Sequence, residues 1–157
     1  MNKKEWLDNL YYNIGKQKYD FFVCGLRKGN DGIIATKWKR YSEVCFPLNP
    51  WEDYKIDWIN QRQILPIEVV LDIEEKEKLK PIVEKLEKWG VFFYTFETGS
   101  RGYHIHIFFE KELNSLEKLR IIRYFKTDEQ KCSDKTMIAL EYAKHWKTGN
   151  AKHEIKI

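Results

Sequence analysis

From residue 64 onward, apolar and polar positions recur regularly enough to assign most elements. Residues 67–73, Ile-Glu-Val-Val-Leu-Asp-Ile, are almost continuously apolar and rich in β-branched side chains. A central strand covered on both faces has this composition. Leu79, Ile82, Val83, Leu86 and Trp89 follow at helical spacing, and Gly90 stands where such a helix stops. Pro81 marks either the first turn of that helix or a kink. Strands are expected over 91–96 and 103–109, joined by the turn Thr98-Gly99-Ser100-Arg101-Gly102. Asn114 or Ser115 caps a helix carrying Leu116, Leu119, Ile122 and Phe125, and 136–142 reads as a last strand. The order is β-α-β-β-α-β, the split-βαβ or ferredoxin-like arrangement.

The first 63 residues are less regular. A helix over 4–12 presents Trp6, Leu7 and Leu10 on one face. A strand over 19–26 and another over 33–38 flank Lys28-Gly29-Asn30-Asp31-Gly32, a turn sequence that makes them a hairpin. The segment 46–51, with Pro47 and Pro50, is an irregular connection. The expectation is an α+β protein of one domain, a small N-terminal α/β unit (1–63) packed on the ferredoxin-like unit (64–157).

Composition narrows the class without naming a function. The chain has 157 residues, 43% apolar and 15% aromatic, enough for a real core. No run of about 20 apolar residues is present to span a bilayer, and the first residues lack the apolar stretch of a signal peptide. A cytoplasmic protein with no membrane partner is therefore expected. Cys24, Cys45 and Cys132 are too scattered for a disulfide framework or a zinc knuckle, and read as buried thiols. The net charge of +4 is mild, and it leaves room for a polarised surface.

The candidate chemistry lies where strands meet. In the expected topology the first and third strands of the ferredoxin-like unit are antiparallel neighbours. The end of the first, Val70-Leu71-Asp72-Ile73-Glu74, then lies beside the start of the third, Arg101-Gly102-Tyr103-His104. Strand alternation puts Asp72 and Glu74 on one face, and two adjacent carboxylates suit a divalent cation such as Mg²⁺ or Mn²⁺. The same acids would also suit the start of a helix. The turn at 98–102 has two glycines that let the backbone approach an anion. Thr98 and Ser100 supply hydroxyls, and Arg101 a planar fork for phosphate oxygens. Near the C-terminus, His145-Trp146-Lys147-Thr148-Gly149 is either a further phosphate contact or an exposed basic tail.

The segment Glu68 to Glu74, the element Thr98-Gly99-Ser100-Arg101-Gly102-Tyr103-His104 and His145-Trp146-Lys147-Thr148-Gly149 together resemble the signature of the archaeo-eukaryotic primase superfamily. The resemblance covers roughly 64–149. It implies an RRM-like, palm-type catalytic core and a primase-polymerase that makes or extends DNA or RNA from nucleotide triphosphates by two-metal phosphoryl transfer. It further implies that Asp72 and Glu74 bind Mg²⁺ or Mn²⁺, and that Thr98, Ser100, Arg101 and His104 hold the triphosphate with help from His145 and Lys147. The family has a third acid, for which Glu141 is the first candidate, Asp128 the second and Asp134 the third. Leu140-Glu141-Tyr142-Ala143 stands where the family has Arg-Leu-Pro-Gly. The expected partners are nucleotide triphosphates, a single-stranded or primed DNA template, and a helicase or accessory primase module on another chain or a missing segment.

Two other readings compete. His104-Ile105-His106 would place two imidazoles on one face of a strand, as in HUH endonucleases that nick single-stranded DNA, with Tyr142 as nucleophile. A non-catalytic RRM-like module would stack bases on exposed aromatics.

Overall fold

The computed structural model describes residues 1–14, 20–45, 56–131 and 136–157. The segment 46–51 and Asp134 lie outside the described residues. Helix α1, Lys3–Asn9, starts on Asn2, whose side chain accepts from the Glu5 amide at 2.9 Å, and a π-helical turn, Leu10–Ile14, continues it. The expected strand over 19–26 is two strands, β1 (Phe22–Cys24) and β2 (Leu26–Gly29). They break at Gly25, where the chain passes so close to Trp58 that a Cβ would lie 2.1 Å from its carbonyl oxygen. Strand β3, Gly32–Ala35, pairs with β2 from Leu26↔Ala35 to Gly29↔Gly32, so the hairpin stands as its own two-stranded sheet. Strand β4 (Lys39–Arg40) and helix α2 (Tyr41–Cys45) follow, then a 3₁₀ turn at Ile56–Trp58 and strand β5 (Gln61–Gln63).

The second unit follows the sequence pattern closely. Strand β6 is Glu68–Ile73, helix α3 Leu79–Trp89, β7 Phe92–Glu97, β8 Tyr103–Phe108 and helix α4 Ser115–Tyr124. Pro81 lies in the first turn of α3, where its missing N–H costs nothing, and Gly90 ends the helix at φ 68°. Asn114 is the cap of α4, in a reciprocal capping box with Glu117.

One expectation changes. The last strand is shorter than the expected 136–142, β9 (Met137–Ala139), and it pairs with β5, outside the sheet that holds β6, β7 and β8. Its chain leaves extended geometry at Tyr142, whose φ is 66°. The two main sheets therefore run β4-β1-β5-β9 and β10-β7-β8-β6, where β10 is His153–Glu154. The protein is α+β with antiparallel sheets, and β9, from the C-terminal part of the chain, completes the sheet of β1, β4 and β5.

The second sheet has two buried faces. Val69, Leu71, Ile73, Ile105 and Ile107 face α3 and α4 and pack on Leu79, Leu86 and Ile122. On the opposite face Phe96 and Phe108 meet Trp6, Leu7 and Leu10 of the N-terminal helix. Trp6 contacts Tyr94, Phe96 and Tyr142 edge-to-face at 5.1, 5.5 and 6.0 Å. Among the described residues no helix is long and apolar enough to cross a membrane. Cys24 is buried, and burial pushes its thiol up to about 11.

The Gly25 contact is with backbone, which cannot swing aside. Gly25→Ala is therefore expected to destabilise the fold by about 1–3 kcal/mol, read as a lower thermal midpoint; an unchanged midpoint would refute the close approach.

Candidate functional site

The expected meeting of β6 and β8 is present in register. Asp72 pairs with His104 and Val70 with His106, so Glu68, Val70 and Asp72 share a face with His104 and His106. At the upper end of β6 a cavity of about 480 Å³ opens, lined by Asp72, Glu74, Glu75, Lys78, Thr127 and Asp128 among others. Burial pushes the Asp72 carboxyl up; Lys131 opposes this, while Asp128 and Glu74 add to it. Asp72 thus feels the charges of Asp128 and Glu74. Among the described residues, no three acidic, histidine or cysteine side chains stand close enough to hold a metal ion by themselves.

The 98–102 turn is seated on the end of β6. A Cβ at Gly102 (φ 92°) would lie 2.7 Å from the Ile73 carbonyl oxygen, so only glycine permits the contact. Within the turn the Thr98 amide donates to the Gly102 carbonyl at 3.1 Å, and the Ser100 amide to the Thr98 carbonyl at 2.7 Å. Ser100 and Arg101 are exposed. Two buried polar atoms here, Thr98 Oγ1 and His104 Nδ1, have no hydrogen-bond partner. Native proteins rarely leave such atoms without a protein, water, ion or ligand partner. Burial, followed by the charges of Lys152, His106 and Lys131, holds His104 well below the usual histidine range, so its ring is neutral. Its Nε2 lies 3.6 Å from Asp72 Oδ1.

The third motif is a turn packed edge-on against the second. Thr148 Oγ1 donates to the Gly99 carbonyl at 2.6 Å, and a Cβ at Gly99 would meet the Asn150 oxygen at 2.4 Å. Gly149 N–H closes the turn on the His145 carbonyl at 2.9 Å. His145 stacks on Trp146 and lines a different cavity, with Lys3, Asp57, Asn60 and Tyr142. Lys147 is exposed. Thr148 therefore joins the second motif to the third, whereas His145 opens away from Asp72.

Glu141 is elsewhere. It is fully buried and accepts from Arg62 Nε at 2.9 Å, Arg62 Nη2 at 3.0 Å, Lys152 Nζ at 3.3 Å and the Trp6 indole N–H. Arg62 also forks onto Glu68 through two bonds of 2.7 Å. His106 donates from Nδ1 to Glu68 at 2.7 Å and accepts at Nε2 from Lys152 at 3.0 Å. With both its nitrogens engaged, His106 has none left to pair with His104 on a metal. Tyr142 donates to Glu154 at 3.3 Å, and burial, with Glu154, pushes its hydroxyl up to about 12.

Sequence reasoning did not single out Arg62 or Lys152, it read Trp6 only as an apolar helix face, and it quoted Glu68 only as part of a motif. The one available signal was Glu68 itself, a carboxylate opening an otherwise apolar strand, which demands a buried partner.

Burial alone would raise the Glu141 carboxyl, but Arg62, then Lys152 and His106, hold it down at about 2, against an ordinary 4.5. Glu68 is likewise held well below the carboxylate range by Arg62. A depressed folded-state value stabilises the protein above the unfolded value, and the contribution disappears as pH falls through the folded one. Thermal stability should therefore decline from about pH 4.5 toward pH 2. Glu141→Gln should be less stable at neutral pH and decline less over that interval; parallel pH profiles for the two proteins would refute the pairing. The chain matches no known protein-family model and no curated protein.

Proposed function

We propose that the protein is a metal-dependent nucleotidyltransferase, a primase-polymerase core that builds or extends a nucleic-acid strand from nucleotide triphosphates on a template. The observation that carries this reading is the contact at Gly102. It seats a glycine-bearing turn, flanked by the orphaned polar atoms of Thr98 and His104, directly on the strand end that bears Asp72 and Glu74. A triphosphate with its metal needs both halves, oxygen ligands for the cation and neutral or cationic donors for the phosphates.

The donor set fits Mg²⁺ or Mn²⁺, which are held by one or two carboxylates together with waters and substrate phosphate oxygens. Asp72 and Glu74 would hold the metal. Asp128 is the third acid in this reading, because it lines the same cavity while every strong acceptor position of Glu141 is already occupied. Bound metal would stabilise the charge on the attacking 3′-hydroxyl oxygen and on the leaving phosphate oxygen. Arg101 and Ser100, exposed at the turn tip, would grip outer phosphate oxygens, and the Thr98 hydroxyl would meet one from below. His104 is neutral, so with its proton on Nδ1 it donates one hydrogen bond to a phosphate without adding charge. His145 and Lys147 would act at the periphery, with Thr148 holding their turn against Gly99.

A template-dependent synthesis assay with Mg²⁺ or Mn²⁺ tests this. The Asp72→Asn/Glu74→Gln double variant should lose at least about 100-fold in rate. Asp128→Asn should impair synthesis without lowering thermal stability, whereas Glu141→Gln should lower stability. Undiminished synthesis in the double variant would overturn the metal assignment. Covalent capture of single-stranded DNA on Tyr142 would replace it with the nicking reading.

A further inference from the structure

The hairpin β2–β3 projects as a separate sheet, and β3 is exposed along its whole length, including Ile33 (58%) and Ile34 (45%). A two-stranded ribbon without a packed face is marginal alone. Here it is held at its base. The Asn60 side chain bonds both the amide and the carbonyl of Leu26 at 2.7 Å, and Thr36 closes on Gly25 through its amide at 2.9 Å and its hydroxyl at 2.7 Å.

The charge on this arm together with the segment that follows it into β4 is unlike the rest of the chain. Residues 26–40 carry Arg27, Lys28, Lys37, Lys39 and Arg40 against Asp31 alone, a net of +4 that equals the formal charge of the whole protein. The other 142 residues therefore sum to zero. Among the described residues no carboxylate pairs with Arg27, Lys28, Lys37 or Arg40. Beside these cations stand aromatic faces. Trp38 is 46% exposed and lies 6.1 Å from the Phe22 ring, over which the Arg40 guanidinium sits at 5.0 Å.

We infer that the β2–β3 arm and the adjoining segment 36–40, with Trp38, form a binding surface for single-stranded nucleic acid. Its lysines and arginines track the phosphates and Trp38 offers a stacking face for a base. Clustered positive charge with an interleaved exposed aromatic is the combination that holds single strands without reading sequence. A duplex offers no unstacked base to Trp38, and a folded protein partner would need complementary acids in an unbroken row. The inference deepens the reading above by giving its template a place, yet its observations lie outside the acidic cavity, so the two can fail separately.

The test is binding of a fluorescent oligothymidylate to the full chain, measured by anisotropy between about 50 and 200 mM salt. Trp38→Ala should weaken binding roughly 5- to 150-fold. Lys28→Ser/Lys37→Ser should flatten the plot of log affinity against log salt by about 0.7 per lysine. Trp89→Ala, an equally exposed tryptophan on α3, is the control and should bind as wild type. All these positions are exposed, and unchanged melting curves confirm intact folds. Wild-type binding by the arm variants, equal loss in the Trp89 control, or tighter binding of duplex than of single strand would each overturn the inference. So would loss of binding to vesicles of anionic and zwitterionic phospholipid with oligonucleotide binding intact, which would make the arm a membrane contact. Asp72→Asn/Glu74→Gln should keep oligonucleotide affinity. Arm-dependent binding by a wild-type chain that makes no product would sink the polymerase reading and leave the arm standing.

Discussion

Everything at the top of β6 depends on a buried charge cluster lower down the same face. Arg62 of β5, Glu68 of β6, His106 of β8, Glu141 after β9 and Lys152 before β10 are all essentially without solvent contact. Two carboxylates and two cations surround a neutral imidazole, so the cluster carries no net charge. Removing one member would strand another, at a cost of roughly 3–5 kcal/mol. Such a cluster is poor evidence for stability in itself, since apolar residues of similar volume often serve as well. Its consequence here is geometric. It joins five segments from both sheets and permits one register among them. A shift of one residue in β6 or β8 would turn Glu68 or His106 to the opposite, apolar face.

That register reaches the candidate site by strand periodicity. With Glu68 and His106 fixed, Asp72 lies four residues beyond Glu68 on the same face, and His104 lies two before His106. The pairing Asp72↔His104 follows. The cluster also acts through its field. Burial pushes Lys152 down to about 8, and its charge helps to keep His104 neutral while drawing Asp72 toward ionisation. A neutral donor beside an acidic cavity is what an anionic ligand with its cation requires.

The parts of this arrangement that were legible in the sequence are those governed by local patterns. Residues 67–73 and the 79–89 helix are long and periodic, and the 98–102 turn announces itself by two glycines with positive φ. Strands β4, β5 and β10 were not legible. Each has two or three residues, mostly polar, so no alternation can develop. β5 is Gln-Arg-Gln, whose only buried side chain is an arginine. Without β5, the sequence offered β9 no neighbour outside the ferredoxin-like order, because a strand's partner is a long-range fact. Glu141 has the same origin. An acid closing an apolar run reads equally as a strand end in solvent or as a buried ion, and only the position of Arg62 decides. The opening of Asp128 onto the Asp72 cavity depends on how the chain turns after α4, which the spacing of charges does not encode.

Charge is thereby sorted into three places with different dielectric surroundings. The buried cluster is neutral because ions without partners cannot be kept out of water. The acidic cavity is partly open, where carboxylates repel and a cation is welcome. The basic arm is exposed, where screening would make isolated charges nearly worthless within the protein. Arg27 and Lys28 on the solvent-exposed ribbon contribute little to folding, and every residue of β3 is exposed. A segment that adds so little to the stability of its own chain is explained by something outside it, and an anionic polymer long enough to touch several of those charges at once fits that description best.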